Sequence, residues 1–150
     1  MTSGRPDLQR RMAIWYLKKY HPGISNFLYQ APVFDSRLFE QQKELILTDS
    51  FFSRAMPRID LLIELEFEVE IIEIKANPKL KDISELKFYE NALKHDNHRA
   101  ALLSKPKRLI FLTVDDHRSI EIYAEEFGIK YIYVPEHELP PASEIYLGKL

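Results

Sequence analysis

The 150-residue chain reads as an α/β protein: a mixed central sheet flanked by helices. Three observations predict this. Apolar runs of strand length occur at 58–65, 68–76, 108–114 and 129–134. The first two fold as a tight hairpin with its turn at Glu66-Phe67, which makes them antiparallel. The later runs are separated by helical stretches, and strand–helix–strand units produce parallel pairs.

In chain order, Arg5 to Tyr20 has helical spacing of Leu8, Met12, Trp15, Tyr16 and Lys19, with Pro6 suited to a first turn. His21-Pro22-Gly23 ends it. Arg10, Arg11, Lys18 and Lys19 decorate this helix, as a solvated face or as phosphate contacts. Phe27 to Phe34 reads as a strand, pushed to a sheet edge or a bulge by Pro32. Leu38 to Leu47 reads as a helix running into a short strand at Leu45-Ile46-Leu47, and Thr48 to Pro57 as a loop. After the hairpin, Asn77-Pro78 breaks the chain. A helix is expected from Asp82 to Lys94, with Ile83, Leu86, Tyr89, Ala92 and Leu93 on one stripe. Asp82 is read as its N-cap, with Glu85 completing a capping-box pattern. Residues 95–107 are a polar connection, and Arg108 to Val114 is a strand. Asp115-Asp116 opens a helix over Ser119 to Phe127, closed by Gly128, and Ile129 to Val134 is the last strand. The tail from Pro135, rich in Pro and Glu, is expected along the surface.

Length and composition, with 45% hydrophobic and 29% charged residues, fit one soluble domain over residues 1–150. The absence of cysteine excludes disulfides, thiolate metal sites and cysteine nucleophiles, and fits an intracellular, cytoplasmic protein. No stretch reads as a signal peptide or a membrane span. A net charge of −2 argues against a surface that attracts nucleic acid everywhere, but leaves room for a local basic patch.

The stretch Arg58 to Asn77 carries three ionisable residues that a buried sheet should not hold without a reason: Asp60, Glu73 and Lys75. Side chains two apart on a strand share a face, which sets Glu73 and Lys75 about 7 Å apart and pointing the same way. A hairpin turning at Glu66-Phe67 pairs residues whose numbers sum to 133, which places Asp60 opposite Glu73. Two carboxylates and an ammonium then converge at one end of the sheet, where they can hold a hard divalent cation with a water beside it. The bland alternative is a salt-bridged cluster at a sheet edge. Two adjacent carboxylates repel, however, and one lysine only half neutralises them.

This pattern, Asp60, a spacer of twelve and Glu73-Ile74-Lys75, resembles the PD-(D/E)xK nuclease superfamily, with Pro57 three positions before the Asp instead of adjacent to it. The order of elements over 5–134 is similar to that superfamily's restriction-endonuclease-like αβββαβ core with an extra C-terminal helix and strand. Within it, the archaeal Holliday junction resolvase and mismatch endonuclease branches are nearest in pattern: Tyr89 matches their helix Tyr, and Glu85 stands where they have Gln. The acidic residue many members carry on the first helix has only Asp7 as its counterpart.

The resemblance implies a Mg²⁺-dependent nuclease (with Mn²⁺ able to substitute) that hydrolyses DNA phosphodiester bonds, RNA being the alternative substrate. By that analogy Asp60, Glu73 and the Ile74 carbonyl are metal ligands, and Lys75 orients the water or stabilises the developing charge. Glu85, Tyr89, Lys87 and Asp7 are supporting candidates, and a homodimer is expected on family grounds. Lys79 and Lys81 flank the site in sequence. His95 and His98, at i, i+3 spacing, read as surface residues; His117 and His137 have no evident partner, and Trp15 and the tyrosines read as core. The competing expectations are a non-catalytic nucleic-acid-binding or assembly protein that keeps the fold, and a structural α/β domain with an incidental E-x-K.

Overall fold

The computed structural model describes residues 4–33, 58–96 and 104–141. The readings made for Leu38–Leu47 and Thr48–Pro57, for His98 and for the end of the tail lie outside those residues. The chain order is α1 (Gly4–Tyr20), β1 (Phe27–Pro32), β2 (Arg58–Glu64), β3 (Val69–Lys75), α2 (Leu80–Leu93), β4 (Lys107–Thr113), α3 (Arg118–Glu126) and β5 (Lys130–Tyr133), then a 3₁₀ turn at Glu136–Glu138. The five strands form one sheet in the order β1-β2-β3-β4-β5. The pairs β1–β2 and β2–β3 are antiparallel, while β3–β4 and β4–β5 are parallel. The molecule is thus an α/β protein with a mixed five-stranded sheet and three helices among the described residues.

Helices cover both faces because the strands between them are apolar on both. Ile72 and Ile74 of β3, with Leu61, Ile63, Ile110 and Leu112, pack under Met12, Tyr16 and Leu17 of α1. Ile71, Leu62, Leu109 and Phe111 face the opposite way, onto Ile83, Leu86 and Leu93 of α2 and Ile120 and Ala124 of α3. Burying two layers of branched side chains is the main stabilising term of such a sheet.

The hairpin has the expected register. Leu61 pairs Ile72, Leu62 pairs Ile71, Ile63 pairs Glu70 and Glu64 pairs Val69. Leu65 N–H closes the turn on the Glu68 carbonyl at 2.9 Å. Pro32 lies in β1, at one edge of the sheet, the place in a sheet that tolerates proline. Gly128 has φ +73°, and the Ile129 and Gly128 N–H groups donate to the Ala124 and Glu125 carbonyls, a Schellman closure of α3.

The start of α2 corrects the sequence reading. Its N-cap is Lys79, and Asp82 lies a turn inside, its carboxylate accepting the Lys79 N–H at 2.8 Å. Asp82 thus supplies the reciprocal half of a cap from the third helical position, and Glu85 has no part in it. The helix begins two residues earlier because Leu80 and Lys81 already adopt helical backbone directly after Pro78-Lys79. Similarly, α3 is entered from His117 as N-cap, not from the two aspartates.

Candidate active site

β3 carries two buried glutamates whose surroundings differ. Glu70 points to the α1 face, where its Oε1 accepts the Tyr16 hydroxyl at 2.7 Å and pairs with His21 Nε2 at 2.8 Å. Burial and then Glu70 push the Tyr16 phenol well above its ordinary range, so it stays a proton donor. Glu70 is thus tied to α1 and to the residue that follows it by two partners on one carboxylate oxygen.

Glu73, three residues on, lies on the other face at the carboxyl end of β3. It is only 2% exposed, and its Oε2 has no hydrogen-bond partner. Burial first, and the adjacent Asp60 carboxylate second, hold its carboxyl far above the carboxylate range, so a proton sits there in the absence of another cation. An orphaned buried oxygen of this kind marks strain or a missing ligand.

Asp60 reaches Glu73 through a local break in β2. The β2–β3 ladder ends at Leu61–Ile72, and beyond it the Ile74 N–H donates at 2.8 Å to Asp60 Oδ2 instead of to backbone. Strict alternation slips at the same point: Ile59 and Leu62 both join the layer under α2 and α3, whereas Leu61 and Ile63 join that of α1. Opposite the slip, Gln30 of β1 has φ 57° and directs its Nε2 to Asp60 Oδ1 at 3.4 Å. A left-handed non-glycine residue costs about 1–2 kcal/mol, a strain found where backbone shape serves a site.

Lys75 leans over the pair from the strand end. Its Nζ is 4.0 Å from Glu73 Oε1 and 3.9 Å from Glu85 Oε2, with the side chain about one third exposed. Burial alone would lower the ammonium, but Glu73, Asp60, Glu85 and Asp82 together outweigh it and keep it charged. Tyr89 of α2 is half-buried; desolvation and then Glu73, Glu85 and Asp60 raise its phenol, so it remains a neutral donor beside the carboxylates.

The other sequence candidates are placed less centrally. The Ile74 carbonyl accepts Gln9 Nε2 of α1 at 3.1 Å. Asp7 is half-buried in the first turn of α1, and it is Gln9 that this helix extends to β3. Lys87 is exposed and pairs with Glu90 on its own helix at 3.6 Å. His95 is half-buried and His137 exposed; His117 donates its backbone N–H to Tyr131 Oη at 3.2 Å. Trp15 and Tyr16 are buried, whereas Tyr20, Tyr123 and Tyr133 are exposed. Gln9 and Gln30 have no sequence signal as site residues, since each acts on a strand 65 or 30 positions away.

Among the described residues no group of three or more His, Cys, Asp or Glu is arranged to hold a metal ion. Two carboxylates remain, one with an unused oxygen, and that donor set suits Mg²⁺, which keeps several waters and takes one or two protein carboxylates. The same chemistry disfavours zinc, whose sites here would need nitrogen or sulfur ligands.

The fold and site together define an α/β protein with a buried Asp–Glu pair and a lysine at the carboxyl end of a central strand. In comparisons with protein-family models, curated proteins and solved structures, nothing matches the chain. Among the described residues no helix is long and apolar enough to cross a membrane.

Proposed function

We propose that the chain is a Mg²⁺-dependent nuclease hydrolysing DNA phosphodiester bonds on a restriction-endonuclease-like core. The observation that carries this reading is the contrast on β3: Glu70 accepts from Tyr16 and pairs with His21, while Glu73 is buried beside Asp60 with an unpartnered oxygen. Retaining two close carboxylates in low dielectric is unfavourable unless a cation joins them.

In this reading Asp60 and Glu73 hold the cation, and the Ile74 carbonyl is a further oxygen on the same short segment. A bound Mg²⁺ would supply charge neutralisation on the phosphate and acidify a water. Lys75 directs its ammonium at the scissile phosphate and stabilises the charge that develops on its oxygens as the water oxygen bonds to phosphorus. The opposite P–O ester bond breaks, and the departing oxygen ends protonated. Tyr89 donates a hydrogen bond at the rim. Glu85 shares Lys75 with Glu73 and so fixes the direction of the ammonium.

The test is cleavage of supercoiled, linear and branched DNA, with an RNA of matched sequence, in Mg²⁺, Mn²⁺ and EDTA. Metal-dependent cleavage by the wild type, lost in Asp60→Ala and Glu73→Ala, is the expected result; cleavage at wild-type rate in either variant overturns the assignment. One observation favours a second reading, a non-catalytic nucleic-acid-binding protein on the same fold: Glu85 lies as close to Lys75 as Glu73 does and draws the ammonium off. Metal-independent DNA binding without cleavage would select that reading.

A further inference from the structure

A cleft of about 290 Å³ opens between α1 and the β3–α2 connection, next to the carboxylate pair but separate from it. Its three kinds of lining group are those a nucleotide needs. Lys75, Lys79 and Lys81 supply cations, and Lys79 and Lys81 are exposed, with no ion pair among the described residues. Asn77 and Gln9 supply carboxamides. Since Gln9 Nε2 is given to the Ile74 carbonyl, its Oε1 remains as an acceptor. Leu8 of α1, half-buried, gives an apolar wall, with Met12 fully buried behind it. The one acidic lining residue, Asp82, has its Oδ2 committed to the Lys79 N–H, and with Lys75 shared by Glu73 and Glu85 the cations open to a phosphate are Lys79 and Lys81.

We propose that this cleft is a nucleotide subsite, which takes one phosphate and base of a nucleic-acid strand beside the scissile bond. It rests on the nuclease reading for its role, since Lys75 lines the cleft and also leans over Glu73. The size decides between single nucleotides and duplex: the volume lies at the lower end of small-molecule sites, roughly 300 Å³ upward, and admits one nucleotide unit. The lysines hold the phosphate as point charges. The base lies against Leu8, where its edge meets the two amides. The substrate favoured is therefore a strand with a free or unpaired nucleotide at the cut, not a continuous duplex.

The test is calorimetric titration of the metal-free protein in EDTA with deoxyadenosine monophosphate, inorganic phosphate, a short single-stranded oligonucleotide and a blunt hairpin duplex. The nucleotide should bind at least tenfold more tightly than phosphate, and the oligonucleotide should compete with it better than the hairpin does. Lys79→Gln/Lys81→Gln should weaken nucleotide binding roughly tenfold or more, as loss of charge-assisted contacts predicts. Asn77→Ala should weaken the nucleotide but not phosphate. Unchanged nucleotide affinity in the double variant, phosphate binding as tight as the nucleotide, or failure of the oligonucleotide to compete each overturns the proposal. Cleavage is read in parallel. A protein that cleaves but binds no nucleotide loses the cleft alone, and one that binds through Lys79 and Lys81 but never cleaves loses the nuclease reading alone.

Discussion

Replacing Glu73 by Gln interrogates the site's charge state before any question of catalysis. Glu73 is 2% exposed, and its carboxyl is held far above the 4.5 at which it titrates without those surroundings. At neutral pH the folded chain therefore binds one proton more than the unfolded chain. Stability falls with rising pH wherever the native state holds more protons, so this contribution is complete below about pH 4.5 and is lost as pH climbs towards the folded value. One proton is worth about 1.4 kcal/mol per pH unit, hence about 2.7 kcal/mol between about pH 6 and 8. That is a sizeable share of the roughly 5–15 kcal/mol that holds a domain folded. Lys75 at 4.0 Å offsets part of the effect, but it is partly solvated and shared with Glu85. Gln has nearly the same shape and does not titrate. The assay is urea unfolding of both proteins in EDTA across that window, and their difference cancels every other titrating group. Stability of the wild type relative to the variant should fall by about 2–3 kcal/mol as pH rises. Parallel profiles would mean that Glu73 is already ionised without metal, and the reasoning from burial would fail. Saturating Mg²⁺ should then stabilise the wild type, by about 2.7 kcal/mol at a hundredfold excess over Kd, and leave Glu73→Gln unmoved.

Three further outcomes are expected. Tyr16→Phe removes a buried hydroxyl that donates to Glu70 at 2.7 Å and should cost about 1.5–3 kcal/mol by chemical denaturation; a negligible loss would show that His21 alone satisfies the carboxylate. Gly128→Ala adds a methyl that meets nothing within 4 Å, so its cost should be the left-handed strain alone, about 1–2 kcal/mol in unfolding experiments. On the proposed nuclease reading, Lys75→Met should cut metal-dependent DNA cleavage by roughly 10²–10³ while the Mg²⁺-induced rise in melting temperature persists, because that reading has the lysine stabilise charge and hold no cation. Loss of that rise would move Lys75 into the cation-binding group.

The hairpin and its charges were legible because the side-chain period of a strand is two and a short turn leaves little choice of register. Asp60, Glu73 and Lys75 stand out as charges in apolar runs, and extending the register put Asp60 opposite Glu73, although the ladder itself stops at Leu61–Ile72. The cap of α2 was misread because Asp is a good N-cap by type. Its carboxylate serves equally well from inside the first turn, and only the path of the chain after Pro78 separates the two. Glu85 and Lys87 look alike as helix charges, yet one turns towards Lys75 and the other towards Glu90.

By itself, then, the sequence determined the order of elements, the two-sided apolar sheet and the identity of three charges that had to meet. These are local or periodic properties, set by residue type and spacing. Tertiary structure decided which of the two buried glutamates on β3 is left with an unpartnered oxygen. Glu70 and Glu73 are the same residue on the same strand, but Tyr16 and His21, more than 48 positions away, satisfy only the first. It also decided that Asp60 reaches β3 by replacing a ladder bond, and that Gln9 and Gln30 brace the site from α1 and β1. Contacts between distant segments have no signature in spacing, since they exist only once the layers have packed.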